Sequence, residues 1–244
     1  DMYTKYINQK ISLSVAWEII NSITKLYRDK GYFLSRAYIP AQNLKNGAIL
    51  IKVVEGYIKN VILPENVKKN FIIQNYINNI LSEKPISIAK VESLLLRLND
   101  LPGYTFRSVI SPIEDIEGAA ELTLIPSKEK GRGEITFDNF ASRYIGPNEA
   151  TLSYSESFIP MQKTTISGVS SSPLDKQSYG GIIHSIVVLP NTTLSAFINT
   201  TKTYPGYTLA DFDIESTANS AGIGLSYQFI RQRQENLSTK IAIN

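Results

Sequence analysis

The sequence predicts an α+β region of two βααββ repeats followed by an antiparallel transmembrane β-barrel that is incomplete in this chain. Three observations carry that prediction. Helical periodicity alternates with short strand-like runs in the first half, and the alternation occurs twice. A charged, glycine-containing stretch at residues 128–133, KEKGRG, then marks a change of character, and beyond it come strand-length runs rich in Ser, Thr, Tyr and Phe. A period near 3.6 buries one stripe of a helix and a period of 2 buries one face of a strand, so the switch separates two kinds of unit.

In the first repeat, Ala16, Ile20, Ile23 and Tyr27 fall at helical spacing from Leu13, with Ser12 or Ser14 as the cap. Met2, Tyr3, Tyr6 and Ile7 share one face of what would be the remains of an earlier helix, and the unit's opening strand is expected to be missing. Residues 25–30 form a basic last turn, and Gly31 can take the left-handed conformation that closes a helix. A strand is predicted over 32–39, ended by Pro40. A turn-rich connection over 42–47 follows, then a β-branched strand over 49–54. Glu55-Gly56 reads as a bend between repeats.

The second repeat reads as a strand over 57–63, helices over 67–81 and 88–99, and strands over 104–110 and 119–125. Ile73, Ile77, Ile80 and Leu81 make one apolar stripe; Val91, Leu94, Leu95 and Leu98 make another, and both can cover one face of a three-stranded sheet. Leu101-Pro102-Gly103 breaks the chain between the second helix and the strand after it.

Past residue 133, strands are predicted over 134–143, 151–158, 164–172, 179–188, 193–203 and 221–231. Several alternate apolar and polar, as in Ile223, Leu225, Tyr227 and Phe229 against Gly222, Gly224, Ser226 and Gln228. Such strands fit a sandwich, where the apolar face meets a second sheet, or a membrane barrel, where it meets lipid and the polar face lines an aqueous lumen. Connection length favours the barrel: 159–162 and 189–192 are tight, whereas 144–149 and 204–219 are longer and more polar. Outer-membrane barrels alternate short turns and long loops in this way, and a closed one needs at least about 8 strands, more than the six or seven apparent here.

The words GYFLSRAYIPAQNL, NGA and VVEGYI resemble the first periplasmic repeat of the outer-membrane transporters of two-partner secretion, the haemolysin-activation and filamentous-haemagglutinin-transporter family. The residues that carry the resemblance are Tyr27 with Gly31 and Tyr32, then Pro40, Gln42 and Leu44, then Glu55 and Gly56. In the second copy, LNDLPGYTFRSVISP followed by EGAAELTLIP resembles the pattern of the same polypeptide-transport-associated, or POTRA, repeat, on Pro102 and Gly103. The resemblance implies a truncated first POTRA repeat over 1–56, a second over 57–127, a linker over 128–133 and the first barrel strands over 134–244. The family's signal peptide, plug helix and later strands are expected to lie outside this sequence.

Composition narrows the chemistry. Cysteine is absent, so disulfides, thiol nucleophiles and zinc–thiolate sites are excluded. Net charge is only +3, without a basic run interleaved with aromatics, which argues against a nucleic-acid groove. No window approaches the roughly 18 apolar residues of a membrane helix, although strands of about 9 to 11 residues suffice for a barrel. His184, alone in IIHSIVV, reads as a satisfied interior or lumen-facing residue and not as a base or ligand. There is no GxSxG elbow, and Gly180-Gly181 lacks the helix that a phosphate loop requires. Asp211, Asp213 and Glu215 lack the spacing and glycine of a calcium loop and read as a solvated connection.

These residues point away from an enzyme, with no cofactor or metal expected. What remains is an interaction surface. In a βααββ unit the strand after the second helix is expected at the sheet edge, where unpaired backbone groups can receive another strand. The client-binding candidates are therefore Phe33, Ser35, Arg36, Ala37 and Ile39 in the first repeat and Thr105, Arg107 and Val109 in the second. The arginines serve equally well as guards against random pairing. By resemblance, the partners are an exported protein with an N-terminal secretion domain and outer-membrane lipid, for a monomer with its repeats in the periplasm. The alternatives are an outer-membrane assembly factor of the same architecture, disfavoured by Ala41-Gln42-Asn43-Leu44, and a soluble periplasmic protein-binding module with a sandwich tail.

Overall fold

The computed structural model describes residues 6–7, 9–43, 48–172 and 176–244. Met2 and Tyr3 of the expected early helix, and residues 44–47 of the first hairpin loop, lie outside the described residues. Packing divides the chain into a first unit of residues 1–96 and 106–125 and a second of 97–105 and 126–244.

The first unit opens with α1 (Leu13–Asp29), which forms where the sequence has a cap and an apolar stripe: the Ser12 hydroxyl accepts from the Val15 amide at 3.3 Å, and Ala16, Ile19 and Ile20 are buried. It ends as expected at Gly31, with φ of +85°; the Gly31 amide donates to Arg28 O at 2.8 Å and Tyr32 to Tyr27 O at 2.9 Å. That paired bonding satisfies two terminal carbonyls and needs a left-handed residue.

β1 (Arg36–Tyr38) and β2 (Lys52–Val54) then pair antiparallel. The strand expected over 32–39 is shorter because residues 32–35 turn instead. The Ser35 amide donates to Tyr32 O at 3.1 Å, and the buried Ser35 hydroxyl accepts from the Gly56 amide at 3.1 Å. Gln42 reaches across the loop to pair with Leu50 in both directions, amide to carbonyl at 2.9 Å and carbonyl from amide at 2.7 Å. A side chain there replaces one rung of the ladder.

Next come β3 (Tyr57–Ile62), α2 (Glu65–Lys68), α3 (Phe71–Leu81), α4 (Ile88–Asn99), β4 (Tyr104–Pro112) and β5 (Ala119–Lys128). The single helix expected over 67–81 is two, because the Asn70 side chain accepts from the amides of Ile72 and Ile73 at 2.9 and 3.3 Å and starts a new helix. The sheet order is β3-β5-β4, with β3 parallel to β5. Ile58, Ile72, Ile73, Val91, Leu94, Leu122 and Leu124 form the buried core. Each contributes about 1.5–3 kcal/mol by leaving water.

The second unit is dominated by an antiparallel seven-stranded sheet in sequential order: β6 (Arg132–Asp138), β7 (Asn148–Glu156), β8 (Gln162–Ser172), β9 (Gln177–Leu189), β10 (Thr192–Thr203), β11 (Ser216–Arg231) and β12 (Asn236–Ile243). The tight turns between β7 and β8 and between β9 and β10 place Met161 and Asn191 at φ of +68° and +63°. A short turn joins β11 to β12 at the same end, and longer connections over 139–147 and 204–215 lie at the other. Among the described residues, β6 and β12 each have one neighbour, so the sheet is open.

Candidate functional site

Two surfaces come into question. In the first unit, β4 is the outer strand of its sheet, and β1 belongs to a two-stranded sheet, so each leaves one side without a neighbouring strand among the described residues. On β4, Thr105, Arg107 and Val109 point outward and alternate with buried Phe106. On β1, Arg36 is exposed and Ala37 faces the core, as does Ser35 just before the strand. Phe33, Ser35 and Ile39 fall outside β1. Contact with a partner at Ser35 or Ala37 would therefore run through backbone, whereas Arg36, Thr105, Arg107 and Val109 present side chains.

A groove of about 680 Å³ is lined by Phe33, Ser35 and Arg36 together with Ile110 and Pro112 of β4 and residues 113–120; Thr105, Arg107 and Val109 do not line it. Glu117 binds it together: its carboxylate accepts from the Tyr38 hydroxyl and the Lys52 ammonium. The Lys52 hydrogen bond, then that of Tyr38, holds the Glu117 carboxyl below its ordinary range, while the same Glu117 bond pushes Lys52 up. Tyr27 donates to Glu55 at 3.2 Å; burial first, then Glu55, raises that phenol.

The motif residues turn out to be seams. Gly31 O accepts from the Ile88 amide at 2.8 Å and Gly56 O from Ile86 at 2.9 Å, so both glycines hold the entry to α4. Gly118, with φ of +76°, lies where a Cβ would sit 2.8 Å from a Val54 methyl. Sequence reasoning gave Gly31 and Gly56 local roles; only their carbonyl partners, far along the chain, reveal this second one.

In the second unit, the turn 97–105 is held by the short-connection end of the sheet. Pro102 O accepts from Met161 at 2.9 Å, and the Gly103 amide donates to the Glu129 carboxylate at 3.0 Å. Arg231 grips Asp100 through two nitrogens, one at 2.8 Å, and Arg97 donates to the Asn191 side chain and to Phe229 O. Burial pulls the Glu129 carboxyl up. The Gly103 amide, Lys163 and Ser157 together outweigh it and hold the carboxyl below its ordinary range.

The sheet itself has two chemically distinct faces. Directly opposed residues share a face, and one row across five strands reads Tyr154, Ile166, Ile182, Ile198, Ala221. The adjacent row on the other face reads Ser153, Ser167, Gly181, Asn199, Ser220. The first face is exposed, with Ile198 61% and Ile223 57% accessible. β8 to β11 are 11 to 16 residues long, enough for tilted membrane strands of about 9–11. His184 departs from the expected interior or lumen position: its row places it on the apolar face, between Ile182 and Ile186, hydrogen-bonded to Thr164 at 2.9 Å.

At the long-connection end, Arg143 lies 5.3 Å over the Tyr207 ring, and the Gly206 amide donates to Tyr144 O at 2.7 Å. Glu215 accepts from the Tyr204 hydroxyl at 2.8 Å. Among the described residues, no group of three or more His, Asp or Glu could hold a metal ion, and no helix is long and apolar enough to cross a membrane.

The family model "POTRA domain, ShlB-type" matches residues 1–56. The heme/hemopexin transporter protein HuxB of Haemophilus influenzae is 22% identical over 143 residues, which is 58% of this chain and 25% of HuxB. That relative is named as a transporter and not as an enzyme. The fold is similar to that of CdiB from Escherichia coli, with a TM-score of 0.67 and 19% identity over 95% of this chain and 44% of that one. CdiB from Acinetobacter baumannii gives a TM-score of 0.58 and 13% identity, over 95% and 45%. The chain thus spans about a quarter of the curated relative and less than half of either solved structure. In sequence the chain is thus similar to a ShlB-type POTRA domain over residues 1–56 and to the transporter HuxB over 143 residues, and in fold to CdiB.

Proposed function

We propose that this chain is part of an outer-membrane protein transporter of two-partner secretion. Residues 1–56 and 57–127 act as periplasmic POTRA repeats, 128–133 as a linker, and 134–244 as the first strands of the barrel. The repeats capture an unfolded exported partner, which adds a strand to β4 or β1, and the barrel passes it to the surface without nucleotide hydrolysis.

The observation that carries this reading is the open edge of β4 beside a groove that Arg36 also lines. Backbone pairing offers affinity for any extended chain, and the alternate outward side chains Thr105, Arg107 and Val109 offer selectivity. The split of the seven-stranded sheet into an apolar and a small polar face supports the second step. A polar lumen lets an extended polypeptide cross without exposing backbone to lipid.

Photocrosslinkers placed at Arg36 or Arg107 of the full-length protein are expected to capture the N-terminal region of the exported partner in living cells. Capture at neither position, with the protein correctly in the outer membrane, overturns the edge-strand reading. Recovery of the complete protein wholly in the soluble fraction overturns the barrel.

A further inference from the structure

We propose that the apolar face of the sheet carries a binding site for an amine-bearing zwitterionic phospholipid headgroup, phosphoethanolamine, formed by Glu156, Thr164 and His184. The inference rests on the membrane-barrel reading of the second unit. It starts from a charged and polar row at the short-connection border of the apolar band.

Glu156, Thr164 and His184 stand directly opposite one another on β7, β8 and β9. The neighbouring rows of that face are Tyr154, Ile166, Ile182, Ile198 and, on the other side, Gln162, Ile186, Leu194, Leu225. A polar track therefore crosses three strands beside the band of isoleucine and leucine, on a face that is polar again toward the long-connection end, at Thr200 with Asn219 and at Ser170, Ser178 and Lys202. Polar groups facing hydrocarbon are costly unless something pairs with them. Thr164 and His184 pair with each other through Nδ1 at 2.9 Å, and Glu156 accepts from the Tyr154 hydroxyl. Among the described residues, no lysine or arginine forms an ion pair with Glu156.

The arrangement has the polarity of one headgroup. In the tautomer whose Nδ1 accepts from the Thr164 hydroxyl, the ring N–H is at Nε2 and is a donor not used by Thr164. Glu156 supplies a carboxyl side chain at the other end of the row. Strands lie about 4.8 Å apart, so the columns of Glu156 and His184 are ~10 Å apart. One hydrogen bond of about 2.8 Å at each end leaves roughly 4 Å between the bound atoms. A two-carbon amino-alcohol phosphate fits that gap: the ammonium on Glu156, and a phosphate oxygen on His184 Nε2–H, with the Gln162 amide one row away. An anionic headgroup without an amine would bring uncompensated negative charge beside Glu156, so the site discriminates by charge. Glu156 is the last residue of β7, at the short-connection end, where headgroups meet the edge of an apolar belt.

The test uses the full-length protein extracted from outer membranes into detergent. Native mass spectrometry is recorded with phosphatidylethanolamine or phosphatidylglycerol of identical acyl chains added. The parent is expected to retain phosphatidylethanolamine preferentially. Glu156→Gln, which removes the charge and keeps the shape, and His184→Leu are each expected to lower its retention about tenfold, the scale of one lost charge-assisted contact. Ile198→Val on the same face is expected to leave retention unchanged. Heat-modifiable gel migration confirms that each variant is folded. Equal retention of the two lipids by the parent, or unaltered retention by both folded polar variants, overturns the site. Absence of the parent from the outer-membrane fraction overturns instead the barrel reading beneath it.

Discussion

Replacing Gly56 by alanine tests whether the motif glycine is a seam or only a flexible bend. A Cβ at that position would stand 2.3 Å from Leu34 Cβ and 2.6 Å from Leu34 O. Carbon atoms settle at about 3.5–4.0 Å, so the two segments must part by more than ~1 Å. Overpacking of that kind costs about 1–3 kcal/mol. The movement also strains two bonds of Gly56: its amide to the buried Ser35 hydroxyl at 3.1 Å and its carbonyl from the Ile86 amide at 2.9 Å. Each buried group left unpaired adds about 1–3 kcal/mol. With both bonds strained and not lost outright, the expected total lies toward the lower end of that sum, about 3–5 kcal/mol, which corresponds to a loss of roughly two to four orders of magnitude in amide protection. Hydrogen exchange of the full chain should show that loss at Gly56, Ile86 and Ile88. Gly133→Ala, whose Cβ would meet nothing closer than 3.8 Å, serves as the control. If Gly56→Ala keeps the protection of Ile86 and unfolds within about 0.5 kcal/mol of the parent, a shift expected of a surface change, the seam is wrong.

Two more outcomes are expected. Leu122→Ala, at a site with no exposure, should cost about 2–5 kcal/mol in denaturant unfolding, whereas Leu194→Ala on the outward face, 40% exposed, should cost less than about 1 kcal/mol; similar costs would contradict the assignment of faces. Glu129 gives a pH dependence of definite sign. Its folded-state carboxyl lies below its ordinary value, so its stabilisation is fully present above the unfolded value of about 4.3 and disappears as pH falls through the lower folded value. Denaturant midpoints measured between pH 7 and 3 should fall less steeply for Glu129→Gln than for the parent, and parallel curves would refute the role of Gly103 and Lys163.

Much of the local structure was legible because its causes are local. Ser12 and Gly31 bound α1, the stripe of Val91, Leu94 and Leu98 gives α4 its observed limits, and the tight turns at Met161 and Asn191 stand where short connections were expected. Other elements were not legible, because distant groups compete for the same backbone. Ser35 turns away from the ladder to receive Gly56, 21 residues on, and this shortens β1. The split between α2 and α3 was within reach of the sequence: Asn70 ahead of an apolar run is a cap signal, overridden in reading by the stripe that continues through it.

The sequence by itself determined the order of elements, the change of period near residue 130, and the alternation that makes each later strand two-faced. Tertiary structure alone decided which strands are neighbours, which edges stay open and what each row contains. The reason is geometric: alternation has period 2, and a slip of one residue exchanges the two faces. Register, fixed by hydrogen bonds between strands far apart in the chain, placed His184 beside Thr164 and Glu156 on the apolar face, and no reading of IIHSIVV alone could have put it there.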